Sequence, residues 1–323
     1  MSPWLLGTLA VVGLVALVLV FLRARGRSEV SLGDGPGGPE LRLAYRAWLE
    51  GDREPLAALF ASHREGHWND RAFYIDQLVE CFAAAGRERD VDTLLAAWVD
   101  EEPDDALAQL LYGARCLCRG WPPPTYSEER PGAPELELLE RAEEALTRAS
   151  NLDPRDPTAK ALLINTITAR GGDERRAKAL FEEAREVEPS HLAAHVAMLR
   201  HLGPRWHGDR EAMFRFVRSA VSKVRVGSAV NGLLAYAHLE SWRSYRDSGD
   251  SSAARAYLGD ESNRIEVSAA FARFCAGECK DRDTTYVKNQ WACWFYLTRD
   301  RMRLQALVPV LLHTPTKRPW VYL

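Results

Sequence analysis

Four histidines crowd one stretch of the chain: His191, His195, His201 and His207. The first two stand four residues apart, which puts two imidazoles on one helix face, where zinc is commonly held. Glu188 and Asp209 lie near enough in sequence to complete a ligand set. The zinc-protease form, however, needs Glu directly after the first histidine, and Leu192 occupies that place. Packing of His195 into a helical core is the simpler reading. His63 and His67 repeat the spacing, but Gly66, Trp68 and Asn69 mark a helix end there. Cys116 and Cys118 are too close for a thiol redox pair, which wants two residues between. Cys275, Cys279 and Cys293 neighbour Phe271 and Phe274 and read as buried, reduced thiols. His238, Glu240, Asp281 and Asp283 complete the inventory, and no motif joins them. No glycine-rich phosphate loop, nucleophile elbow or dinucleotide fingerprint occurs. The expectation is therefore no catalytic residue, no cofactor and no metal. The alternative is an enzyme or metal-dependent sensory subunit with its site in the histidine-containing or C-terminal helices.

The elements that carry these residues read as helix throughout. No run of alternating β-branched residues is long enough for a sheet, and Gly, Pro and Asp fall mostly between apolar-periodic segments. A repeat runs through the middle. Ala142, Leu146, Ala149 and Pro154 recur 35 residues on as Ala177, Phe181, Ala184 and Pro189, and 35 further as Ala212, Phe216 and Ser219. Small, large, small at spacings of four and three marks a helix face that lets a neighbour approach closely. Proline five residues later stops that helix. An earlier unit is expected from Ile75, Leu78, Val79 and Phe82 on one helix and Val91, Leu94, Leu95 and Trp98 on the next.

This pattern resembles the tetratricopeptide repeat, a helix-turn-helix unit of about 34 residues. The match is best over residues 158–189. Its first helix departs from the family, with Ala161, Ile164, Asn165 and Thr168 where Trp, Leu, Gly and Tyr are usual. Residues 202–215, with their Pro-x-Trp-x-Gly turn, are similar to an element of uncharacterised bacterial domain families. The resemblance implies an all-α superhelix of helix hairpins over residues 40–226, followed by a non-repeat helical region, 227–323. It also implies a concave groove that binds a protein or peptide. The groove positions are Ala159, Leu162, Leu163, Thr166 and Arg170 in the central unit, and Phe73, Asp76, Gln77, Glu80 and Ala84 in the earlier one. Only Arg170 is similar to a residue that grips a terminal carboxylate. Asp76 and Glu80, one turn apart, favour a basic or mixed ligand. Residues 120–134 interrupt a hairpin and offer Trp121 and Tyr126 as rigid anchors beside a stiff Pro122-Pro123-Pro124 stretch.

Upstream, residues 4–22 are nineteen consecutive uncharged residues, about the length that crosses a hydrocarbon core roughly 30 Å thick. Arg23, Arg25 and Arg27 follow, and no Lys or Arg precedes. The positive-inside rule then sets the orientation. The expectation is a single-pass protein of a bacterial inner or plasma membrane, touching the lipid bilayer through residues 4–22. Residues 23–39 are a basic flank and flexible linker, and the remaining domain is cytoplasmic and acts in recognition or scaffolding. A formal net charge of −3 argues against nucleic acid as a partner.

Overall fold

The computed structural model describes residues 37–64, 67–82, 88–121, 131–314, 316, 319–320 and 323. Among them the regular structure is helical: fifteen α-helices and one 3-10 turn. They are α1 (Gly38–Leu49), α2 (Glu54–Ser62), α3 (Trp68–Phe82), α4 (Glu88–Glu101), α5 (Ala106–Gly120), α6 (Ala133–Leu152), α7 (Pro157–Ala169) and α8 (Glu174–Val187). Then come α9 (Leu192–His201), α10 (Arg210–Lys223), the 3-10 turn Ala229–Gly232, α11 (Leu233–Asp247) and α12 (Ser251–Gly259). The last three are α13 (Glu261–Cys275), α14 (Thr284–Leu297) and α15 (Arg301–His313). The chain divides into two compact units, one ending at Phe216 and the other covering Val217–Leu323, so the division falls within α10.

In the first unit α5 packs on α6, α6 on α7, and α7 on α8 and α9, while α4 lies on α5. The corners that start α5, α7 and α9 share one construction. A proline at 103, 154 or 189 ends the preceding helix. The turn then closes identically, with Asp105 N–H on Glu102 O, Asp156 N–H on Asp153 O and His191 N–H on Glu188 O, each 3.0 Å. Asp105 and Asp156 go on to cap their helices, accepting from Leu107 N–H at 2.7 Å and Thr158 N–H at 2.8 Å. Gln109 and Lys160, one turn further on, donate to the carbonyls of Pro103 and Pro154.

The small-large-small positions are buried in two successive hairpins: Ala142, Leu146 and Ala149 on α6, and Ala177, Phe181 and Ala184 on α8. The third copy shifts. α10 begins at residue 210 and α8 at 174, a separation of 36, so Met213, Val217 and Ala220 are buried instead, while Ser219 is exposed.

Helix α3 departs from the expected hairpin with α4. Its main partners are α5, α7 and α9, with α1 on another side. Phe73, Tyr74, Ile75, Gln77, Leu78 and Phe82 are all buried, leaving Asp76 and Glu80 on a narrow exposed edge. The face read from Ile75, Leu78 and Phe82 is buried, but a helix covered on most sides shows no single apolar stripe, so its further neighbours do not show in the periodicity.

The second unit packs α11 against α12, α13 and α14, and α14 against α15. Its core is aromatic: Trp291, Trp294, Phe295 and Phe274 are buried.

The expected membrane topology needs correction. Among the described residues no helix is long and apolar enough to cross a membrane. The longest, α6, has 20 residues but carries Glu135, Glu137, Glu140, Arg141, Glu143, Glu144 and Arg148, which a hydrocarbon core does not accept. This overturns the transmembrane element of the fold, the single-pass inner or plasma membrane placement with a cytoplasmic domain, the membrane-anchored function and the lipid contact. Residues 4–22 and Arg23, Arg25 and Arg27, on which those expectations rested, lie outside the described residues.

Candidate recognition surface

The segment from α2 into α3 meets all three corners in turn. Arg53, just before α2, pairs with Glu101 at 2.7 Å and Glu102 at 3.2 Å at the first corner, and lies 5.4 Å over the Trp98 ring. At the second, Arg64 pairs with Asp153 at 2.5 Å. Arg71 is buried there, its Nε 2.7 Å from Asp156 and its Nη1 donating to Phe60 O. Burial raises the Asp156 carboxyl, but the Arg71 charge and the Thr158 N–H outweigh it and hold the group below its ordinary range.

The third corner lacks a carboxylate. His191 stands 35 residues after Asp156, where the cap belongs, and makes no capping bond. Asn69 supplies the cap from α3: its Oδ1 accepts from Leu192 N–H at 2.9 Å and its Nδ2 donates to Ser190 O. One turn on, His195 donates from Nδ1 to His191 O at 2.9 Å. Burial pushes both imidazoles down to about 4, so they are neutral at neutral pH.

The groove positions fare unevenly. Ala159, Leu163 and Thr166 of α7 are buried, and so are Phe73 and Gln77. Arg170 is exposed but engaged, bridging Glu140 at 3.2 Å and Glu143, which also holds Arg176. Trp121 is half-buried, edge-on to Trp206 with centroids 5.0 Å apart and beneath Arg200. Arg200 in turn donates to Asn165 at 2.6 Å. Tyr126 and Ala84 lie outside the described residues. Asp76 and Glu80 are exposed on one edge of α3, and Trp121 follows the end of α5.

The histidines do not gather into a centre. His201 Nδ1 is 3.0 Å from Thr168 Oγ1, and His207 Nε2 donates to Thr168 O at 2.8 Å. Among the described residues no group of three or more His, Cys, Asp and Glu side chains is placed to hold a metal. The metal-dependent form of the alternative reading is corrected accordingly. His195, His201 and His207 instead each meet a carbonyl or hydroxyl. Burial raises the Cys116 and Cys293 thiols, and Cys279 rises to about 11.

In the second unit His238 is joined to residues that sequence spacing did not reveal. Tyr257 Oη lies 2.7 Å from its Nδ1 and Glu266 3.1 Å from its Nε2, and Arg218 holds Glu266 through two bonds. Hydrogen bonding to His238, with Arg218 alongside, lowers Glu266 to about 2. Glu240 pairs with Arg243, and Asp281 accepts from the Cys279 thiol.

Sequence reasoning also missed Arg64, Asn69, Arg71 and Asp156. The recurring Pro-x-Asp corner was the available signal, and its absence at 191 pointed to an outside cap. No protein-family model matches the chain, and no curated protein matches it.

Proposed function

We propose that the hairpin stack is a recognition module similar to tetratricopeptide repeats, and that its partner is a protein or peptide. The observation that carries this reading is the α2–α3 segment, which engages three equivalent corners through Arg53, Arg64, Arg71 and Asn69. A stack whose corners hold one chain segment by its polar side chains has the construction for holding another. The 35-residue stripe buried in two successive hairpins supports the repeat architecture itself. Because α3 lies across α5, α7 and α9, the partner contacts the corner edge and the surface residues beside it, not an open concave groove. Asp76, Glu80 and Trp121 are the proposed contact residues, and Arg170 acts by ordering α6 against α8.

Photo-crosslinking tests this. A crosslinker at position 76, 80 or 121 should capture discrete partner bands from the native host, whereas one at the outward Arg185 of α8 should not. Equal labelling from all four positions would remove the assignment of the surface.

A further inference from the structure

His191 stands at the cap position of the third corner, where Asp105 and Asp156 cap the first two. It is wholly buried, and neither ring nitrogen has a hydrogen-bond partner of ordinary geometry. The residues on both sides of it are held by one side chain from α3. Ser190 O accepts from Asn69 Nδ2 at 3.2 Å, and Leu192 N–H donates to Asn69 Oδ1 at 2.9 Å. With a neutral imidazole the corner closes without a buried charge. A proton changes that. It puts a cation at the start of α9, beside the first turn of α3, and positive charge is unfavourable at the N-terminal end of a helix. At the first two corners a carboxylate stands there instead.

The groups around His191 compensate such a charge poorly. Burial is the largest influence against it, and Asp156 of α7 is the carboxylate that favours it. That carboxylate already lies 2.7 Å from Arg71 Nε of α3 and also acts on Lys160. His195, one turn on, opposes a second cation, and the Trp68 backbone of α3 favours one. From α8, Glu182 and Arg185 act on His195 and pair with each other. Glu188 accepts from the N–H and Oγ of Ser190, and Asp70 lies 4.0 Å from His67. An imidazolium buried here is therefore driven toward water. Because Asn69 grips residues 190 and 192, swinging residue 191 outward breaks both of its bonds together. We propose that the third corner is an acid-operated latch: a proton on His191 frees the start of α9 from Asn69 while Arg53, Arg64 and Arg71 keep the first two corners closed. This goes beyond the recognition reading and does not depend on it. It makes one of the three contacts of the α2–α3 segment conditional on acidity.

Hydrogen exchange of the full chain tests this, read at the Leu192 amide and at the amides of α5. His191 titrates near 4 in the closed corner and near its ordinary value of about 6.5 in the open one, so opening takes up a proton. Closure is therefore fully favoured above about pH 6.5 and weakens as pH falls toward 4. Protection at Leu192, corrected for the intrinsic exchange rate, should drop about 50-fold between pH 7 and 4.5. At pH 5 the Leu192 exchange should change little with low concentrations of urea, the mark of a local opening, while that of α5 should follow urea steeply. His191→Asn, which can cap but carries no charge, should remove the drop at Leu192, and His195→Gln should keep it. Asn69→Asp retains the acceptor for Leu192 N–H and adds a carboxylate beside residue 191, so it should make the drop shallower. A urea dependence at Leu192 equal to that of α5 overturns the latch, and so does a pH response unchanged in both His191→Asn and Asn69→Asp.

Discussion

Asp156 caps α7 and neutralises Arg71, and both tasks are done out of water. A buried pair of this kind is a weak source of net stability, but removing one member leaves the other charged and unpaired. Arg71→Leu should therefore cost about 3–5 kcal/mol in urea unfolding, and adding Asp156→Asn should recover part of the loss. Strict additivity of the two substitutions would mean the side chains are not coupled. The pH dependence follows from the same carboxyl. Its folded pKa is lowered, so its stabilisation is present above the unfolded value and is lost as pH falls through the folded one. Without Arg71 burial pushes its folded pKa up, so the part of the acid-induced loss of stability that comes from Asp156 should shrink in the Arg71→Leu variant. The buried histidines titrate in a separate window. His191 and His195 take up protons near pH 6.5 when unfolded and only near 4 when folded. Their contribution is complete above about pH 6.5 and is lost between there and about 4. Unfolding free energy measured against pH should fall across that window, and less steeply in His195→Gln. An unchanged slope in that variant would show that His195 is not the titrating group.

At the scale of elements, α9 depends on another helix for its start. Asn69→Ala should cost about 1 kcal/mol, the worth of a helix cap, and hydrogen exchange should report fraying at Leu192 N–H although the substitution lies in α3. If protection is lost only within α3, Asn69 does not cap α9. Much of the stack was legible because its signals are local. Ala142, Leu146 and Ala149, and their counterparts at 177, 181 and 184, lie within single helices where a 3.6-residue period settles the buried face. The copy at Ala212, Phe216 and Ser219 was misread by one position because α9 and the connection after it are together one residue longer than α7 and its connection, which rotates the buried face by about 100°. The placement of α3 was not legible at all. Its partners are set by Asn69 and Arg71 meeting backbone and carboxylate groups 123 and 85 residues away, and no periodicity carries that information. The candidate surface was read in pieces for the same reason. Trp121 was recognised as an anchor by its type, but Trp206 and Arg200 beside it come from far along the chain.

Across the whole molecule, the two units should respond separately to core damage. Phe181 packs among Ala161, Ile164 and Met198 in the first unit, and Trp291 among Phe271 and Phe274 in the second. Replacing either by alanine should cost about 3–5 kcal/mol. Exchange should then accelerate first over α7–α9 for Phe181→Ala and over α13–α15 for Trp291→Ala. Uniform acceleration in both would mean a single cooperative unit. The position of α3 also bears on how the chain is made. During synthesis Asn69 emerges 123 residues before the Leu192 amide it holds, a wait of about 6–25 s at 5–20 residues per second. Through that interval Tyr45 and Trp48 can shelter Phe82, but Phe73, Ile75 and Leu78 have no helices α7 and α9 to settle against. One of the earliest helices translated is thus among the last of its unit to find its place. Slowing the ribosome between residues 83 and 191 should lengthen the time in which α3 is exposed to proteases and to other nascent chains.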